Sequence, residues 1–169
     1  MFVVDTNVLV YASDQASPYH ERCLERLNIW RTQAEAWFVT WGILYEFLRV
    51  ATHPRVMRRP WTAHRAWEFV FALLESPGLS VLVATERHAA VASGVIDEIP
   101  HLAGNLVHDA HTAILMREHG IRRIYTRDAD FHRFSFQEPM DPLSLEVHEP
   151  RAPGKSATPR RRRRSGSKS

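Results

Sequence analysis

Short apolar runs alternate with longer stretches of helical periodicity through most of this sequence. Residues 2–4 and 36–39 form short, continuous apolar runs, which is the pattern of buried β-strands, and the short, largely apolar segments 79–83 and 121–125 are predicted as the third and fourth strands. Strands that alternate with helices at this spacing favour a parallel sheet with helices on both faces. We therefore expect an α/β fold, a three-layer α/β/α sandwich around a central, mainly parallel sheet.

Capping residues, prolines and glycines mark where the intervening helices begin and end. The predicted helices begin near Val8, Ser17, Trp41, Thr62, Thr85 and Leu106. The helix over 41–51 ends before His53-Pro54, because the residue that precedes proline avoids helical geometry. The helix that begins at Leu106 ends at Gly120, which readily adopts the left-handed conformation of a helix terminator. Residues 143–147 are predicted to add an edge strand.

Charge is distributed unevenly along the 169 residues. Residues 151–169 contain eight Lys and Arg and no acids, whereas the remaining 14 Lys and Arg oppose 19 Asp and Glu, so residues 1–150 carry a formal charge of −5. We expect one folded domain over 1–150 and a disordered basic tail over 151–169, because the tail has too little apolar surface to offset the entropy of ordering. Its five consecutive arginines attract any polyanion without sequence selectivity.

Cysteine content and hydropathy indicate the compartment. Cys23 is the single cysteine, so the chain forms no internal disulfide, which is typical of a reducing cytoplasm. The densest apolar stretch, residues 36–45, is far shorter than the roughly 20 residues that cross a bilayer. Asp5 interrupts the apolar start of the chain, which argues against a secretory signal. We expect a soluble, cytoplasmic protein with no membrane association.

Four acidic residues lie where a parallel fold brings side chains together. Asp5 and Asp128 follow predicted strands, Asp109 lies in the first turns of a helix, and Glu46 interrupts an apolar helix. Burying several carboxylates near one another is costly unless a cation neutralises them, and hard oxygen ligands suit Mg²⁺ or Mn²⁺. Such an ion activates water and holds phosphate oxygens, so the predicted reaction is phosphodiester hydrolysis.

Each acid also has a purely structural interpretation. Asp5 is a suitable helix cap, and Asp109 near a helix start is stabilised by the helix dipole. Glu46 fits a solvated side chain, and Asp128 fits a polar turn. The occurrence of all four together favours the metal site over these separate explanations.

Four stretches have a distinctive order in the chain. They are VVDTNVLVYA, ILYEFLRVATHPRV, GNLVHDAHTAILMREHG and IYTRDADFHRF, which together span nearly all of residues 2–134. They resemble the PIN-domain family, and within it the VapC-type toxins of bacterial toxin–antitoxin pairs. The resemblance implies a metal-dependent endoribonuclease that is inhibited by a small cognate antitoxin. It also implies a homodimer, for which the helices near Trp41 and Trp67 offer apolar contacts.

The resemblance assigns roles residue by residue. It identifies the catalytic acids as Asp5, Glu46, Asp109 and Asp128. Asp5 and Asp109 are the implied direct metal ligands, whereas Glu46 and Asp128 act through metal-bound water. The polar residues that orient these carboxylates are Thr6, Asn7, Asn105 and Thr126, with Asp130 as a weaker candidate. Separately, we predict that nearby arginines contact RNA, namely Arg49, Arg55, Arg127 and Arg133.

Other phosphohydrolases share parts of this pattern. His108, Asp109 and His111 are similar to the motif of the all-helical HD-type enzymes, but the alternating strands oppose an all-helical fold. Haloacid dehalogenase-type phosphatases also begin with a strand that ends in Asp. They require a second Asp where this chain has Asn7, and a catalytic lysine, whereas the only lysines here lie in the tail. The same lack of lysine excludes P-loop nucleotidases.

The sequence therefore predicts a single-strand-preferring endoribonuclease, the toxin of a VapBC-type module, with RNA as substrate and Mg²⁺ or Mn²⁺ as cofactor. The alternative comes from a different class of protein. It is a PIN-like module whose acidic pocket is catalytically inactive and which binds RNA or another protein. Cleavage of RNA by the purified protein distinguishes the two.

Overall fold

The structure, a computed structural model, describes residues 1–144. Its strands are β1 (Phe2–Val4), β2 (Trp37–Thr40), β3 (Leu79–Leu82), β4 (Arg123–Tyr125) and β5 (Glu138–Met140). They form one sheet in the order β3-β2-β1-β4-β5, in which every neighbouring pair is parallel. The predicted α/β class and parallel sheet are confirmed.

Six α-helices connect and cover the strands. They are α1 (Thr6–Ser13), α2 (His20–Thr32), α3 (Trp41–Ala51), α4 (Ala63–Leu74), α5 (His88–Glu98) and α6 (Leu106–Glu118). Thr62 caps α4 as predicted, because its hydroxyl accepts a hydrogen bond of 3.2 Å from the Arg65 N–H. Gly120 follows α6 with a φ of 67°, the left-handed conformation that favours glycine.

The central strand β1 is buried along its whole length. Neighbouring residues of a strand point to opposite faces, so burial of Phe2, Val3 and Val4 means that both faces of the sheet are covered at this strand. The Phe2 ring contacts Trp30 and Tyr125, with centroids 5.2 Å and 5.0 Å away. Each fully buried large apolar side chain contributes about 1.5–3 kcal/mol. The core therefore holds β1, and the chain that leaves it, in one position.

The edge strand differs from the prediction. Leu143 lies in a turn, in which its N–H donates to the Asp141 side chain at 2.9 Å, and residues 145–147 lie outside the described part of the chain. The fifth strand is instead β5, which contains Pro139. Proline lacks the N–H that a central strand must donate, but an edge strand pairs on one side only and tolerates it. The sequence prediction missed β5 because its proline disfavours a strand.

Several helix and strand starts are also shifted. Helix α2, predicted from Ser17, begins at His20. The helix predicted from Thr85 begins at His88, since the Thr85 hydroxyl and carbonyl accept hydrogen bonds from Arg87 and His88 in a preceding turn. The fourth strand begins at Arg123. Within residues 1–144, each helix is too short or too polar to span a lipid bilayer. The predicted domain boundary at 150 and the basic tail over 151–169 lie outside the described residues.

Candidate active site

Parallel pairing places the carboxyl ends of β1 and β4 side by side. Val4 pairs in register with Tyr125, so Asp5 and Thr126 follow at the same edge of the sheet. The Asp5 N–H donates to the Tyr125 carbonyl at 3.0 Å, and the Thr126 hydroxyl donates to Asp5 Oδ2 at 2.7 Å. Two positions 121 residues apart in the sequence are thereby joined at this edge.

The Asp5 carboxylate is buried and held by several donors. Its Oδ1 accepts a hydrogen bond of 2.7 Å from the Thr6 N–H, which makes Asp5 the N-cap of α1. Its Oδ2 accepts from the Asn7 amide as well as from Thr126, and the Asn7 amide also lies 2.9 Å from the Thr126 hydroxyl. The helix-capping interpretation of Asp5 is thus confirmed, and the same residue also lines the cleft described below.

Glu46 reaches the same edge from α3, which begins directly after β2. Its Oε2 accepts a hydrogen bond of 3.1 Å from the Thr6 hydroxyl, and its Oε1 lies 3.3 Å from Arg49. Thr6 therefore orients one carboxylate through its backbone and another through its side chain. The first residues of α1 connect Asp5 to Glu46.

Three further carboxylates complete the site. Asp109 lies in the first turn of α6, and Asp128 and Asp130 follow β4. One ligand atom from each of the three lies within 4.8 Å of the others, and within residues 1–144 this is the only such group of three. The Asp128 N–H donates to the Thr126 hydroxyl at 2.9 Å, and Asp128 in turn accepts from the Asp130 N–H at 2.9 Å. Thr126 thus orients both Asp5 and the segment that carries Asp128.

All these acids line one cleft of about 890 Å³. Its walls come from the start of α1, one face of α3, the start of α6 and the segment after β4. The lining residues are Asp5, Thr6, Asn7, Val10, Tyr11, Gly42, Tyr45, Glu46, Arg49, Val50, Asn105, His108, Asp109, Asp128 and Asp130.

Burial, and then the charges of neighbouring carboxylates, raises the pKa values of two acids in the cleft. Burial raises the pKa of Asp5 to about 7, against the hydrogen bonds from Thr126 and Thr6, and the charges of Asp109 and Glu46 raise it further. Burial also raises the pKa of Asp109 to about 6, with Asp128 as the next cause. Negative charge is therefore undercompensated in the cleft. A donor set made of carboxylate oxygens fits a hard divalent cation, which would supply the missing positive charge.

The structure brings most of the sequence-predicted residues together. The four predicted catalytic acids line the cleft, as do Thr6, Asn7, Asn105 and Asp130, and Thr126 contacts Asp5 through its hydroxyl. Asp5, one of the two predicted metal ligands, lies outside the group of three carboxylates within 4.8 Å, whereas Asp109 belongs to it. The assignment of individual metal ligands stays a prediction.

Among the predicted RNA-contacting arginines, Arg49 lines the cleft and the other three do not. The Arg127 guanidinium lies over the Tyr19 ring, 4.1 Å from its centroid, and 3.8 Å from Asp141. Arg133 donates to the Pro100 carbonyl at 3.2 Å, and Arg55 lies in the loop between α3 and α4. Contact of these side chains with RNA stays a prediction.

Sequence reasoning missed several residues of the cleft walls. Tyr11 lies one helical turn after Asn7, and the i, i+4 spacing that brings them to one face of α1 is readable in the sequence. Gly42 has the same spacing to Glu46 on α3. Tyr45 and His108 directly precede acids, but adjacent helix positions point about 100° apart, so the sequence did not indicate that they line the cleft.

Comparisons with known proteins agree with this architecture. The PIN domain profile matches residues 2–137. Ribonuclease VapC48 of Mycobacterium tuberculosis is 31% identical over 140 residues, which cover 83% of this chain and 96% of that protein. Ribonuclease VapC37 of the same species is 34% identical over 134 residues, which cover 79% of this chain and 92% of the relative.

Solved structures share the fold at lower identity. The crystal structure of M. tuberculosis VapC20, a toxin that cleaves the sarcin–ricin loop, has a TM-score of 0.57 at 19% identity and covers 78% of this chain and 93% of its own. VapBC2 of Rickettsia felis bound to a promoter DNA fragment has a TM-score of 0.59 at 13% identity, with 82% and 96% covered. At these identities the likeness supports the fold alone.

The raised pKa of Asp5 predicts how stability depends on pH without metal. Between about pH 4 and pH 7 the folded protein keeps a proton on Asp5 that the unfolded chain has lost, so the free energy of unfolding falls as pH rises. In Asp5→Asn this decline should be smaller by on the order of a few kcal/mol. Urea unfolding in the presence of chelator, repeated at several pH values, measures the free energy of unfolding of both proteins.

The control is Asp97→Asn, which removes an exposed acid on α5 and should leave the pH profile of the wild type unchanged. Parallel profiles for the wild type and Asp5→Asn would show that burial of Asp5 does not perturb its ionisation.

Proposed function

Since the chain belongs to the PIN-domain family and, within it, to the VapC ribonucleases, we propose that its acidic cleft hydrolyses RNA phosphodiester bonds with a bound Mg²⁺ or Mn²⁺. The observation that carries this proposal is the convergence of Asp5, Glu46, Asp109 and Asp128 from separate elements into one cleft. Separate structural roles, such as the capping of α1 by Asp5, do not explain why all four acids converge. A shared cation supplies the reason.

The carboxylates are suited to hold the ion in complementary ways. Asp109, Asp128 and Asp130 offer ligand atoms within 4.8 Å of one another, and Asp5 lies buried beside them in the same cleft. When bound, the cation would activate a water molecule and neutralise charge on the phosphate. Its charge also offsets the repulsion between RNA and a body that carries a formal charge of −5.

The surrounding polar residues keep these carboxylates in place. Thr126 and Asn7 fix Asp5 Oδ2, and the Thr6 hydroxyl orients Glu46 towards the cleft. In this proposal, Glu46 and Asp128 orient the attacking water, and one of the two accepts its proton. Arg49 lies beside Glu46 in the lining and is the cation best placed to meet a substrate phosphate.

The proposed biological role is that of a cytoplasmic toxin whose partner is a cognate antitoxin protein. Related folds include FitAcB of Neisseria gonorrhoeae and VapBC2 of Rickettsia felis. VapC20, another protein of this fold, is described as a toxin that cleaves the sarcin–ricin loop. By this proposal, the antitoxin restrains RNA cleavage until it is lost.

We further propose that the protein forms a homodimer through α3. Trp41 and Tyr45 lie on one face of this helix, 41% and 62% exposed, with ring centroids 6.1 Å apart. Two adjacent aromatic rings exposed on a helix are typical of a protein–protein contact. The other helix predicted to offer a contact, α4, exposes Trp67 and Phe71 and is the alternative surface.

Nuclease activity is tested with purified, antitoxin-free protein and total RNA. We expect cleavage with Mg²⁺ or Mn²⁺, none with chelator, and a loss of roughly 100-fold or more in Asp109→Asn, because loss of a residue that supports a metal ligand already costs 10–100-fold. Asp97→Asn controls for loss of a carboxylate outside the cleft and should keep full activity. A wild-type protein that cuts no RNA in either metal would favour the inactive binding module.

The toxin role is tested by brief induction in growing bacteria. We expect growth arrest with the wild type and normal growth with Asp109→Asn produced at the same level. Sequencing of newly formed RNA ends then identifies the transcripts and the bonds that are cleaved. Arrest that persists in Asp109→Asn would separate toxicity from the acidic cleft.

The dimer is tested with matched charge substitutions. Trp41→Glu places a carboxylate in the proposed contact and should convert the dimer into a monomer, whereas Trp67→Glu should leave it intact. Sedimentation equilibrium measures the mass of each variant. A monomeric wild type, or dissociation by Trp67→Glu alone, contradicts the assignment to α3.

A further inference from the structure

One wall of the cleft is formed by α3, and another, on α1, contains an aromatic residue. Tyr11 lines the cleft together with Asp5 and Asn7 and is partly buried. Burial raises the pKa of the Tyr11 phenol, so the ring is neutral at physiological pH. Tyr11 lies one helical turn beyond Asn7, and side chains at this spacing have Cβ atoms about 5–6 Å apart. Tyr11 therefore lines the same cleft as the carboxylates, on the face of α1 that carries Asn7.

Two residues outside the cleft support the Tyr11 ring. Tyr19 packs against it in an edge-to-face contact, with centroids 5.1 Å apart and an interplanar angle of 67°. Arg127 covers the Tyr19 ring at 4.1 Å and extends to Asp141 at 3.8 Å. The Arg127 backbone N–H donates to Asn7 Oδ1 at 3.3 Å, which ties this group to the residue that orients Asp5. Tyr11 is thus held in place relative to the acids.

We propose that Tyr11 is a stacking platform for the nucleobase next to the scissile phosphate. The inference rests on the proposed ribonuclease function and adds the substrate group that this wall recognises. The edge-to-face contact with Tyr19 occupies at most one face of the Tyr11 ring, and Tyr11 is only partly buried where it lines the cleft. Single-stranded RNA presents unstacked bases beside each phosphate, and every base has a π-face that fits an aromatic ring.

This assignment changes the role of Arg127. Its guanidinium is engaged by Tyr19 and Asp141 and does not line the cleft, so it acts as a positioning residue for the platform. The carboxylates hold the cation, Arg49 meets a phosphate, and Tyr11 fixes the base. Together these contacts favour single strands, because a base within a duplex does not present its face.

The test uses an abasic nucleotide moved stepwise along a single-stranded RNA that the wild type cleaves in Mg²⁺. In the wild type, one position beside the scissile bond should lower kcat/KM about tenfold when its base is missing. In Tyr11→Leu the intact RNA should be cleaved about tenfold less efficiently, mainly through KM, and the abasic position should cause no additional loss. Tyr11→Phe keeps the ring and should retain both the activity and the abasic penalty.

Phe71→Ala removes an exposed aromatic residue that does not line the cleft, and it should keep the abasic penalty. A penalty that persists in Tyr11→Leu would overturn the proposal, as would a loss in Tyr11→Phe equal to that in Tyr11→Leu. Thermal unfolding of each variant separates misfolding from loss of the platform.

A binding measurement separates failure of this inference from failure of the proposed function. The Asp109→Asn variant is mixed with a single-stranded RNA that carries 2-aminopurine, whose fluorescence is quenched by stacking. We expect fluorescence quenching with Asp109→Asn alone. Quenching should be lost when Tyr11→Leu is added to this variant and kept when Tyr11→Phe is added instead. If the wild type cuts no RNA, the nuclease proposal fails, but quenching that depends on Tyr11 still supports the platform. Equal quenching with Tyr11→Leu and with Tyr11→Phe overturns the proposed stacking platform.

Discussion

The hydrogen bond between Thr126 and the buried Asp5 carboxylate is the interaction on which the rest of the site depends. It joins the ends of β1 and β4, and the same hydroxyl accepts from the Asp128 backbone. Without it, Asp5 would be a buried charge with fewer donors, and the segment after β4 would lose its connection to the sheet. Parallel pairing makes this contact possible, because it brings both carboxyl ends to one edge.

Around this contact the protein accumulates more negative charge than its own cations neutralise. Burial, and then the charges of neighbouring carboxylates, raises the pKa values of Asp5 and Asp109, whereas hydrogen bonds from Thr126 and Thr6 lower that of Asp5 only in part. A divalent cation held by these carboxylates would relieve the imbalance and would supply the Lewis acid that phosphodiester hydrolysis needs. On the proposed function, the crowded acids are kept for metal binding at some cost to the stability of the metal-free protein.

Much of the architecture was predictable because it depends on local patterns. Continuous apolar runs indicated β1 and β2, and Thr62 and Gly120 marked helix ends that the structure contains. The edge strand β5 was not predictable, because Pro139 disfavours strands and only its edge position makes it acceptable. The positions of the arginine side chains also depend on partners distant in sequence, as the contact of Arg127 with Tyr19 illustrates.

The sequence alone determined the class of fold and pointed to the acids that converge in the cleft, because acids that follow apolar strands, together with the order of four motifs, are properties of the linear chain. Tertiary structure alone decided which carboxylates lie nearest one another, which arginine reaches the cleft and that Tyr11 forms one of its walls. These outcomes depend on side-chain direction and on the packing of helices against the sheet. Both are set by contacts between residues far apart in the chain, which a linear pattern does not specify.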